Sequence, residues 1–310
     1  MSPDPDGPEV RTRVDGRTLV LRRLDKVLYP RTGTTKGEVL DYYARVAAPL
    51  LEQMADRPVT RKRWPHGVEA EDFFEKNAPR GAPSWLRTVR VETPGSSRGR
   101  THVDYPVVSS VAELVYLAHL ASLELHTPQW TVGPRGGIRS PDRLVVDLDP
   151  GSPAGLAECA EVALLVRERL QADGLETYPV TSGSKGLQLY AALSGGQDAE
   201  AVLEYAHALA DEIAAAHPRL VVSRMAKAVR SRKVFIDWSQ NNAAKTTITP
   251  YSLRGRHEPW VAAPRSWAEV EDAGSLRQLR FEEVLERLAG NDAPAAPPVG
   301  GGGPRPPRGG

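Results

Sequence analysis

The sequence predicts an α+β domain in which helices flank a mostly antiparallel sheet, and three observations lead to that class. Five segments have the length and apolar spacing of helices, and eight shorter apolar segments have the character of strands. After residue 140 the order is strand, helix, hairpin, helix and further strands, which does not repeat a simple β–α–β unit. The chain contains no internal repeat. An antiparallel sheet with helices beside it fits this order.

Two of the predicted helices begin with a capping box, in which a hydroxyl residue is followed three positions later by glutamate. Thr35 precedes Glu38 in the first helix, and Ser110 precedes Glu113 in the second. These pairs predict where each helix starts. The five predicted helices cover residues 35–54, 110–124, 156–173, 199–216 and 281–288.

The ends of the chain have the composition of tails. Residues 1–16 are polar and contain Pro and Gly, so we expect them to be flexible. Residues 291–310 contain six Pro and six Gly, which is typical of a linker or a disordered tail. Residues 17–290 are then the folded domain. The eight predicted strands cover residues 17–22, 58–63, 144–149, 176–181, 187–193, 220–223, 234–238 and 246–249.

The overall composition is that of an ordinary globular protein, with 40% hydrophobic and 25% charged residues and a net charge of +1. Cys159 is the only cysteine, which excludes a disulfide framework and a cysteine-rich zinc site within the chain. No apolar run approaches the roughly 18 residues of a membrane helix. The first ten residues lack the features of a secretory signal. We therefore expect a cytoplasmic protein that has no membrane partner.

Two aspartates lie at the end of the predicted strand 144–149, within the segment RLVVDLDP. Asp147 and Asp149 are two positions apart, so a strand places both on one face, while Val146 and Leu148 point the other way. Two carboxylates this close repel each other, and a divalent cation between them relieves the conflict. Carboxylate oxygens suit Mg²⁺ or Mn²⁺. The alternative, a strand followed by an ordinary polar turn, is at least as good an explanation of this segment alone.

A third carboxylate changes that balance. Asp237 interrupts the apolar strand VFIDW and is the only acid between residues 219 and 256, where nine residues are basic. A charge in such a strand is costly unless it is paired or binds a metal. Pairing with a neighbouring arginine is the alternative. Together with Asp147 and Asp149, however, Asp237 predicts a site for two ions about 3.5–4 Å apart, as used for displacement at phosphorus.

Two features could bind phosphate. The segment SGSKG at residues 182–186 lies between two predicted strands and combines glycines, hydroxyls and Lys185. It lacks the spacing of a P-loop, and taken alone it is better explained as a simple hairpin turn. Lys36 lies in the first turn of the helix that Thr35 caps, where a bound anion is favoured and a cation is not. We interpret Lys36 as a phosphate ligand with Lys26 as a helper, against the alternative of an exposed lysine.

Aromatic residues suggest a surface for bases. Phe73 and Phe74 stand in the polar segment EDFFEK, just after three cations and a tryptophan at residues 61–64. Exposed paired aromatics can stack on bases, whereas the alternative places at least one of them in the core. His126 follows a predicted helix, and a lone histidine of this kind is more often structural than catalytic.

The motifs DLDP, SGSKG and VFIDWSQN, in this order and spacing, resemble the three motifs of the archaeo-eukaryotic primase superfamily. Within that superfamily, the chain resembles the polymerase domain of bacterial DNA ligase D, which acts in non-homologous end joining. The resemblance covers nearly all of residues 17–290. It includes the segments LDKVLYP, TTKGEVLDYY, RPVTRKRWPHGV, FFEKNAP, LELHTPQW, KTTITPYSLRGR and AAPRSWAEV.

This resemblance implies a primase-polymerase fold with an RRM-like central sheet, and it assigns a role to each candidate residue. Two divalent ions, Mn²⁺ in preference to Mg²⁺, would bind the three aspartates. The incoming NTP or dNTP would bind at Ser182, Lys185, His126 and Arg254, and the DNA 5′-phosphate would bind at Lys26 and Lys36. Phe73 and Phe74 would stack on template bases, and Arg230 would belong to a mobile loop beside the active site.

The implied function is template-directed repair synthesis at DNA ends and gaps that carry a 5′-phosphate, with ribonucleotides preferred. Ku and a DNA ligase are the implied partners, in the bacterial cytoplasm at the nucleoid. The alternatives are a de novo primase, a non-enzymatic module that bridges DNA ends, and a metal-dependent nuclease. The three acids disfavour a bridging module, and neither SGSKG nor the two lysines serves nuclease chemistry.

The sequence departs from the family in two ways. Gln188 follows SGSKGL where the family usually has histidine, and glutamine can donate a hydrogen bond without carrying charge. We therefore expect an altered triphosphate affinity or pH response. Nuclease and ligase domains, which usually accompany this domain, are absent from the chain, so we expect a stand-alone polymerase or an excised fragment.

Overall fold

The computed structural model describes residues 8–92, 101–290, 292–299 and 303. There are two short 3₁₀ helices in the described residues, Lys227–Val229 and Trp238–Asn241, one just before and one just after the strand Val234–Asp237. None of the helices in these ranges has both the length and the apolar character needed to cross a membrane. The α-helices are α1 Lys36–Arg45, α2 Ala47–Met54, α3 Val111–His119, α4 Leu156–Ala172, α5 Ala199–Ala216, α6 Trp267–Glu271 and α7 Phe281–Ala289.

The strands are short, and many of them pair only as local hairpins. They are β1 Glu9–Val14, β2 Arg17–Arg22, β3 Val27–Tyr29, β4 Thr34–Thr35, β5 Thr60–Arg63, β6 Phe73–Glu75, β7 Thr88–Glu92, β8 His102–Pro106, β9 Ser122–Thr127, β10 Trp130–Val132, β11 Ile138–Pro141, β12 Arg143–Pro150, β13 Thr177–Thr181, β14 Leu187–Ala192, β15 Val221–Val222, β16 Val234–Asp237, β17 Thr247–Ile248, β18 Trp260–Val261, β19 Ala263–Pro264 and β20 Leu279–Arg280.

The largest sheet has six strands in the order β15-β16-β12-β14-β13-β19. Every neighbouring pair is antiparallel except β15 and β16, as the sequence predicted. Leu144, Val146 and Leu148 of β12 lie in one apolar core with residues of α4 and α5. One face of the sheet is therefore covered by helices. The odd-numbered residues of β12 point to the opposite face.

A second sheet, in the order β17-β9-β5-β6, lies against that opposite face. Val145 and Tyr190 of the large sheet share a small buried cluster with Ile248 of β17. The buried guanidinium of Arg143 joins the sheets further, because its Nε donates to Gln129 Oε1 at 2.7 Å and its Nη2 donates to Thr127 Oγ1 at 2.9 Å. The odd-numbered side chains of β12 therefore face the second sheet, and we call the region between the two sheets at the end of β12 the cleft.

The first predicted helix is two helices. Helix α1 ends before Val46, and α2 continues to Met54. Pro49 has no N–H to donate to the carbonyl of Arg45, and its ring crowds the preceding turn, so α1 stops at Arg45 and Pro49 lies in the first turn of α2, where that bond is not needed. The predicted capping box of Thr35 and Glu38 is confirmed.

The second predicted helix is too long at its C-terminal end. Helix α3 has the predicted capping box of Ser110 and Glu113 but ends at His119. Ala121 adopts a positive φ of 59°, which stops the helix. Strand β9 follows and pairs with β5. The segment that carries His126 is therefore a strand through the middle of the second sheet.

The tail predictions are partly wrong. Residues 9–14 form β1, which pairs with β2 across Asp15 and Gly16. Both turn residues have positive φ, as a two-residue hairpin turn requires. Residues 292–299 form no helix or strand, but Ala296 packs against the core and Pro297 O accepts a 2.7 Å hydrogen bond from Gln53 Nε2. The rest of both predicted tails lies outside the described residues, apart from Pro8 and Gly303.

Candidate metal and nucleotide site

Three aspartates meet where two strands of the large sheet run side by side. Asp147 and Asp149 are on β12, and Asp237 is the last residue of β16. In the antiparallel register Asp147 lies directly opposite Asp237. One carboxylate oxygen from each aspartate lies within 4.8 Å of those of the other two. The structure therefore brings the three predicted acids together.

Local hydrogen bonds hold Asp237 in place at the start of a 3₁₀ turn. Its Oδ1 accepts from the N–H of Ser239 at 3.1 Å and also from the Ser239 hydroxyl. Its Oδ2 accepts from Gln240 Nε2 at 2.9 Å. The carboxylate is oriented by the turn that follows its own strand, so the motif VFIDWSQ supplies both the acid and its support.

The acids are electrostatically unfavourable without a cation. Burial raises the pKa of Asp147 well above its usual value, and the charges of Asp149 and Asp237 raise it further. Burial also raises the pKa of Asp149, again with a contribution from Asp237. Three carboxylates this close form a donor set of hard oxygens that suits divalent cations. The residues present therefore fit a divalent metal site.

Gln188 contacts this site directly. It lies opposite Asp147 on β14, and its Nε2 donates to Asp147 Oδ1 at 3.2 Å. The Tyr190 hydroxyl lies 3.0 Å from Gln188 Oε1 and 3.1 Å from the carbonyl of Ile248. The residue that departs from the family motif is thus a neutral donor to one of the three acids.

The raised pKa values predict how metal-free stability depends on pH. In the unfolded chain both aspartates have a pKa of about 3.9, and in the folded chain their pKa values are higher. Their protonation therefore stabilises the folded chain fully below about pH 3.9, and this stabilisation is lost as the pH rises through the pKa values of the folded chain. With metal removed by a chelator, we therefore expect Asp147→Asn and wild type to have the same melting temperature near pH 4. As the pH rises, the melting temperature of Asp147→Asn should exceed that of wild type by a growing amount.

Thermal unfolding of both proteins between pH 4 and pH 8 checks this expectation. Each 1 kcal/mol corresponds to a shift of about 2–4 °C for a chain of this size class. Adding Mn²⁺ should raise the melting temperature of wild type much more than that of Asp147→Asn. A difference between the two proteins that did not change with pH would contradict the assignment of mutual repulsion to these acids.

The SGSKG segment forms a tight turn between β13 and β14. Ser182 N donates to the carbonyl of Gly186 at 3.0 Å, and Ser182 Oγ accepts from the N–H groups of Ser184 and Gly186 at 3.3 and 3.2 Å. Gln278 braces the turn by accepting from Gly183 N at 2.7 Å. The hydroxyl proton of Ser182 remains for a ligand. Lys185, at the tip of the turn, is exposed.

Glycine is required twice in this turn. Gly183 has a φ of 65°, and a Cβ there would lie 2.8 Å from the backbone of Val261. A Cβ on Gly186 would lie 2.0 Å from the carbonyl oxygen of Leu148. The turn therefore lies directly against the part of β12 that carries Asp147 and Asp149. The glycines serve this close approach.

His126 and Arg254 are joined by a residue that the sequence reasoning missed. His126 Nε2 lies 2.8 Å from Glu124 Oε2, and Arg254 Nε lies 3.4 Å from Glu124 Oε1. The charge of Arg254 lowers the pKa of both Asp147 and Asp149, against the larger effect of burial. Glu124 lies two positions before His126, and a strand places such residues on the same face. This spacing could have indicated the contact from the sequence.

Phe73 and Phe74 lie on the edge strand β6, and 43% and 49% of each residue is exposed. The alternative that one of them belongs to the core is therefore wrong. The ring of Phe74 lies edge-on to His126 with 6.3 Å between centroids. An exposed aromatic pair thus adjoins the histidine of the cleft.

Arg230 follows the first 3₁₀ helix and lies near Asp149. Its guanidinium carbon is 3.6 Å from the centroid of the Phe235 ring, and its charge lowers the pKa of Asp149. A Cβ on Gly151 would lie 1.9 Å from the carbonyl oxygen of Arg230, so this loop packs on the turn that follows Asp149.

Lys26 and Lys36 form a separate group at the start of α1. Lys26 Nζ donates to Pro65 O at 2.6 Å, and Lys36 Nζ donates to Arg22 O at 2.9 Å. Lys36 is only 8% exposed, which excludes the alternative of an exposed lysine. Burial, then the charges of Lys26 and Arg23, lowers the pKa of Lys36 to about 8. A bound anion would relieve this repulsion.

Comparison with known proteins places this arrangement in a family. The model of the family "LigD, primase-polymerase domain" matches residues 35–295. The chain is 49% identical over 276 residues to the multifunctional non-homologous end joining DNA repair protein LigD of Mycobacterium tuberculosis, covering 87% of this chain and 36% of that protein. It is 30% identical over 272 residues to the bifunctional non-homologous end joining protein LigD of Bacillus subtilis, covering 87% and 42%.

The chain thus spans less than half the length of these curated relatives. Among solved structures, the polymerase domain of Mycobacterium tuberculosis ligase D in complex with DNA matches with a TM-score of 0.83 and 46% identity, covering 89% of this chain and 99% of that one. This match confirms the predicted fold class. The sequence resemblance, the family model and the solved fold agree, and the chain belongs to the LigD primase-polymerase domain family, whose members are nucleotidyltransferases.

Proposed function

We propose that this chain is a template-directed polymerase of DNA double-strand-break repair by non-homologous end joining. The observation that carries the proposal is the position of three aspartates on adjacent strands, with the glycine-rich turn packed against the strand that holds two of them. The relatives named above support it, because their names assign them to end joining and the solved relative is a polymerase domain in complex with DNA. Residues 17–290, together with the paired strand β1, would form the catalytic domain.

The residues of the cleft would have separate roles in nucleotidyl transfer. Two divalent cations, Mn²⁺ in preference to Mg²⁺, would bind Asp147, Asp149 and Asp237 and supply the charge that activates a 3′-hydroxyl and stabilises the leaving pyrophosphate. Ser182 would donate its hydroxyl proton to the incoming triphosphate, and Lys185 would provide charge at the tip of the turn. Positioning and electrostatic stabilisation account for most of such catalysis.

The remaining residues would bind nucleotide and DNA. His126 and Arg254 would contact the incoming NTP or dNTP from the second sheet, with ribonucleotides preferred. Lys26 and Lys36 would bind the 5′-phosphate on the far side of a gap. The exposed rings of Phe73 and Phe74 would stack on template bases, and Arg230 would act from the loop beside the acids. Ku and a DNA ligase are the proposed partners, in the bacterial cytoplasm at the nucleoid.

One assay tests this function most directly. The protein would be given a 5′-phosphorylated gapped duplex with rNTP or dNTP, in Mn²⁺ or in Mg²⁺, and primer extension would be measured. We expect template-dependent addition that is fastest with rNTP and Mn²⁺. Products formed on a template without a primer would instead indicate a primase. DNA-end binding without any extension would indicate a bridging module and refute the polymerase assignment.

Removal of both lysines should abolish recognition of the 5′-phosphate. Wild type should bind a phosphorylated gap at least about tenfold more tightly than an unphosphorylated one, because a charge-assisted contact to phosphate is strong. Lys26→Ala combined with Lys36→Ala should bind both gaps equally, as measured by fluorescence anisotropy.

Arg45→Ala is the matched control. Arg45 ends the same helix and pairs with Asp41 at 3.5 Å on the surface, so its removal costs a positive charge without touching the two lysines. Its preference for the phosphorylated gap should remain. Equal binding of the two gaps by wild type would remove the basis for this assignment.

A further inference from the structure

Glu124 occupies the junction between two parts of the chain that are distant in sequence. It lies on β9, two residues before His126, and is only 3% exposed. Arg254 and Gly255 belong to the segment between β17 and β18. The buried carboxylate contacts all three of these residues and so joins the second sheet to that segment.

Each carboxylate oxygen of Glu124 has its own partners. Oε2 accepts from His126 Nε2 at 2.8 Å. Oε1 accepts from the N–H of Gly255 at 3.0 Å and forms an ion pair with Arg254 Nε at 3.4 Å. A Cβ on Gly255 would lie 2.2 Å from the Trp64 ring, so that end of the contact is sterically fixed. The carboxylate therefore constrains both His126 and Arg254.

The charge of Glu124 persists under working conditions. Burial alone would raise the pKa of Glu124, but the hydrogen bond from His126, the charge of Arg254 and the N–H of Gly255 together lower it to about 2. Lys62 lies opposite Glu124 on β5, yet its ammonium group is 3.2 Å from Asp72 and 4.8 Å from the centre of the Trp64 ring. The carboxylate of Glu124 thus interacts with His126 and Arg254, while Lys62 interacts with Asp72 and Trp64.

We propose that Glu124 is a positioning residue, which holds His126 and Arg254 in the orientation that binds the triphosphate of the incoming nucleotide. The inference rests on the proposed function of this cleft. The side chains of His126 and Arg254 are each 14% exposed, so most of each side chain is buried beside the carboxylate and a small part remains accessible to a ligand. The bond to Glu124 uses His126 Nε2, and Nδ1 can donate to a phosphate oxygen when the ring carries its second proton.

Glu124→Gln tests the role of the charge while keeping the size of the side chain. We expect the KM for rNTP to rise about tenfold, as the loss of a charge-assisted contact predicts, while kcat changes less than about threefold. The Kd for the 5′-phosphorylated gapped duplex should stay at the wild-type value. Equilibrium binding of a fluorescent non-hydrolysable ATP analogue in Mn²⁺ should weaken by the same factor, which gives a readout independent of turnover.

Glu269→Gln is the matched control, because Glu269 also bridges two arginines. Glu269 lies on α6, and its Oε1 is 2.8 Å from Arg265 Nη2 and 2.8 Å from Arg287 Nη2. Neither arginine is among the proposed nucleotide ligands. This variant should lower the melting temperature but leave the KM for rNTP unchanged. A rise in KM in both variants would assign the effect to general destabilisation and overturn the proposal.

A combined variant separates positioning from direct contact. If Glu124 acts through His126 and Arg254, then adding Glu124→Gln to the pair His126→Ala and Arg254→Ala should weaken analogue binding no further. A further loss, or a folded Glu124→Gln with wild-type KM and analogue affinity, would overturn the proposal. If Glu124→Gln does not fold, Glu124→Asp keeps the charge but shortens its reach, and unchanged analogue binding there would overturn it.

Failure of the proposed function has a different signature. A wild-type protein that binds the analogue but extends no primer would refute the polymerase assignment. The comparison of wild type with Glu124→Gln by analogue binding would still decide the role of Glu124. Wild type that binds no analogue would overturn the inference together with the nucleotide site.

Discussion

Asp147→Ala is expected to abolish primer extension, with a loss of about 10³-fold or more, while DNA binding is retained. Asp147 is the central acid of the site, because it lies opposite Asp237 in the register and is bonded by Gln188. Removing it would leave two carboxylates, too few to hold two ions in the geometry that nucleotidyl transfer requires. Losses of this size are common when an electrostatic group at the reacting centre is removed.

Extension of a gapped duplex in Mn²⁺ and anisotropy with the same DNA measure the two properties separately. Asp211→Asn is a suitable control, since Asp211 is a surface acid on α5 whose ion-pair partner is His207 at 3.5 Å. It should extend primers at the wild-type rate. Retained extension by Asp147→Ala in Mn²⁺ would show that the assignment of the metal site is wrong.

Gly186→Ala is expected to reduce extension by about 10²-fold through geometry alone. The new Cβ would meet the carbonyl oxygen of Leu148 at 2.0 Å and Pro150 Cδ at 3.3 Å, and the first of these contacts is impossible without movement of the backbone. Leu148 lies between Asp147 and Asp149, so the movement would displace the acids relative to the turn. Misplacement by about 1 Å can cost about 10²-fold in rate.

Gly274→Ala controls for the loss of a glycine, because nothing lies within 4 Å of a Cβ there and its φ is not in the left-handed region. Its extension rate and melting temperature should match wild type. Gly186→Ala should also melt several degrees lower, since overpacking typically costs about 1–3 kcal/mol. A Gly186→Ala protein with wild-type extension would show that the turn and β12 move independently.

The sequence predicted those parts of the fold that depend on neighbouring residues. Residues 199–216 were predicted as a helix, and α5 has these bounds. The capping boxes at Thr35 and Ser110 mark the starts of α1 and α3 as expected. Alternation along β12 correctly separated Leu148, which lies in the helix-covered core, from the aspartates. Each of these features is set by interactions within a few residues, which a local pattern records.

The errors arose where a local pattern continued past a point that geometry interrupts. The apolar spacing of residues 35–54 runs through Pro49, and that of residues 110–124 runs past Ala121, whose positive φ ends α3. Strand β9 begins at Ser122, so it includes three residues at the end of the predicted helix 110–124. In the other direction, Asp15 and Gly16 were a hairpin signal inside a segment whose polar composition suggested a tail.

By itself, the sequence determined the chemistry of this protein: three carboxylates in apolar strands, a glycine-rich turn with a lysine, and two lysines at a helix start. Only the tertiary structure decided their geometry. It placed Asp147 opposite Asp237, which is 90 residues away along the chain, and inserted Glu124 between His126 and Arg254. Strand register and sheet packing depend on how the whole core closes, and no periodicity among consecutive residues records that.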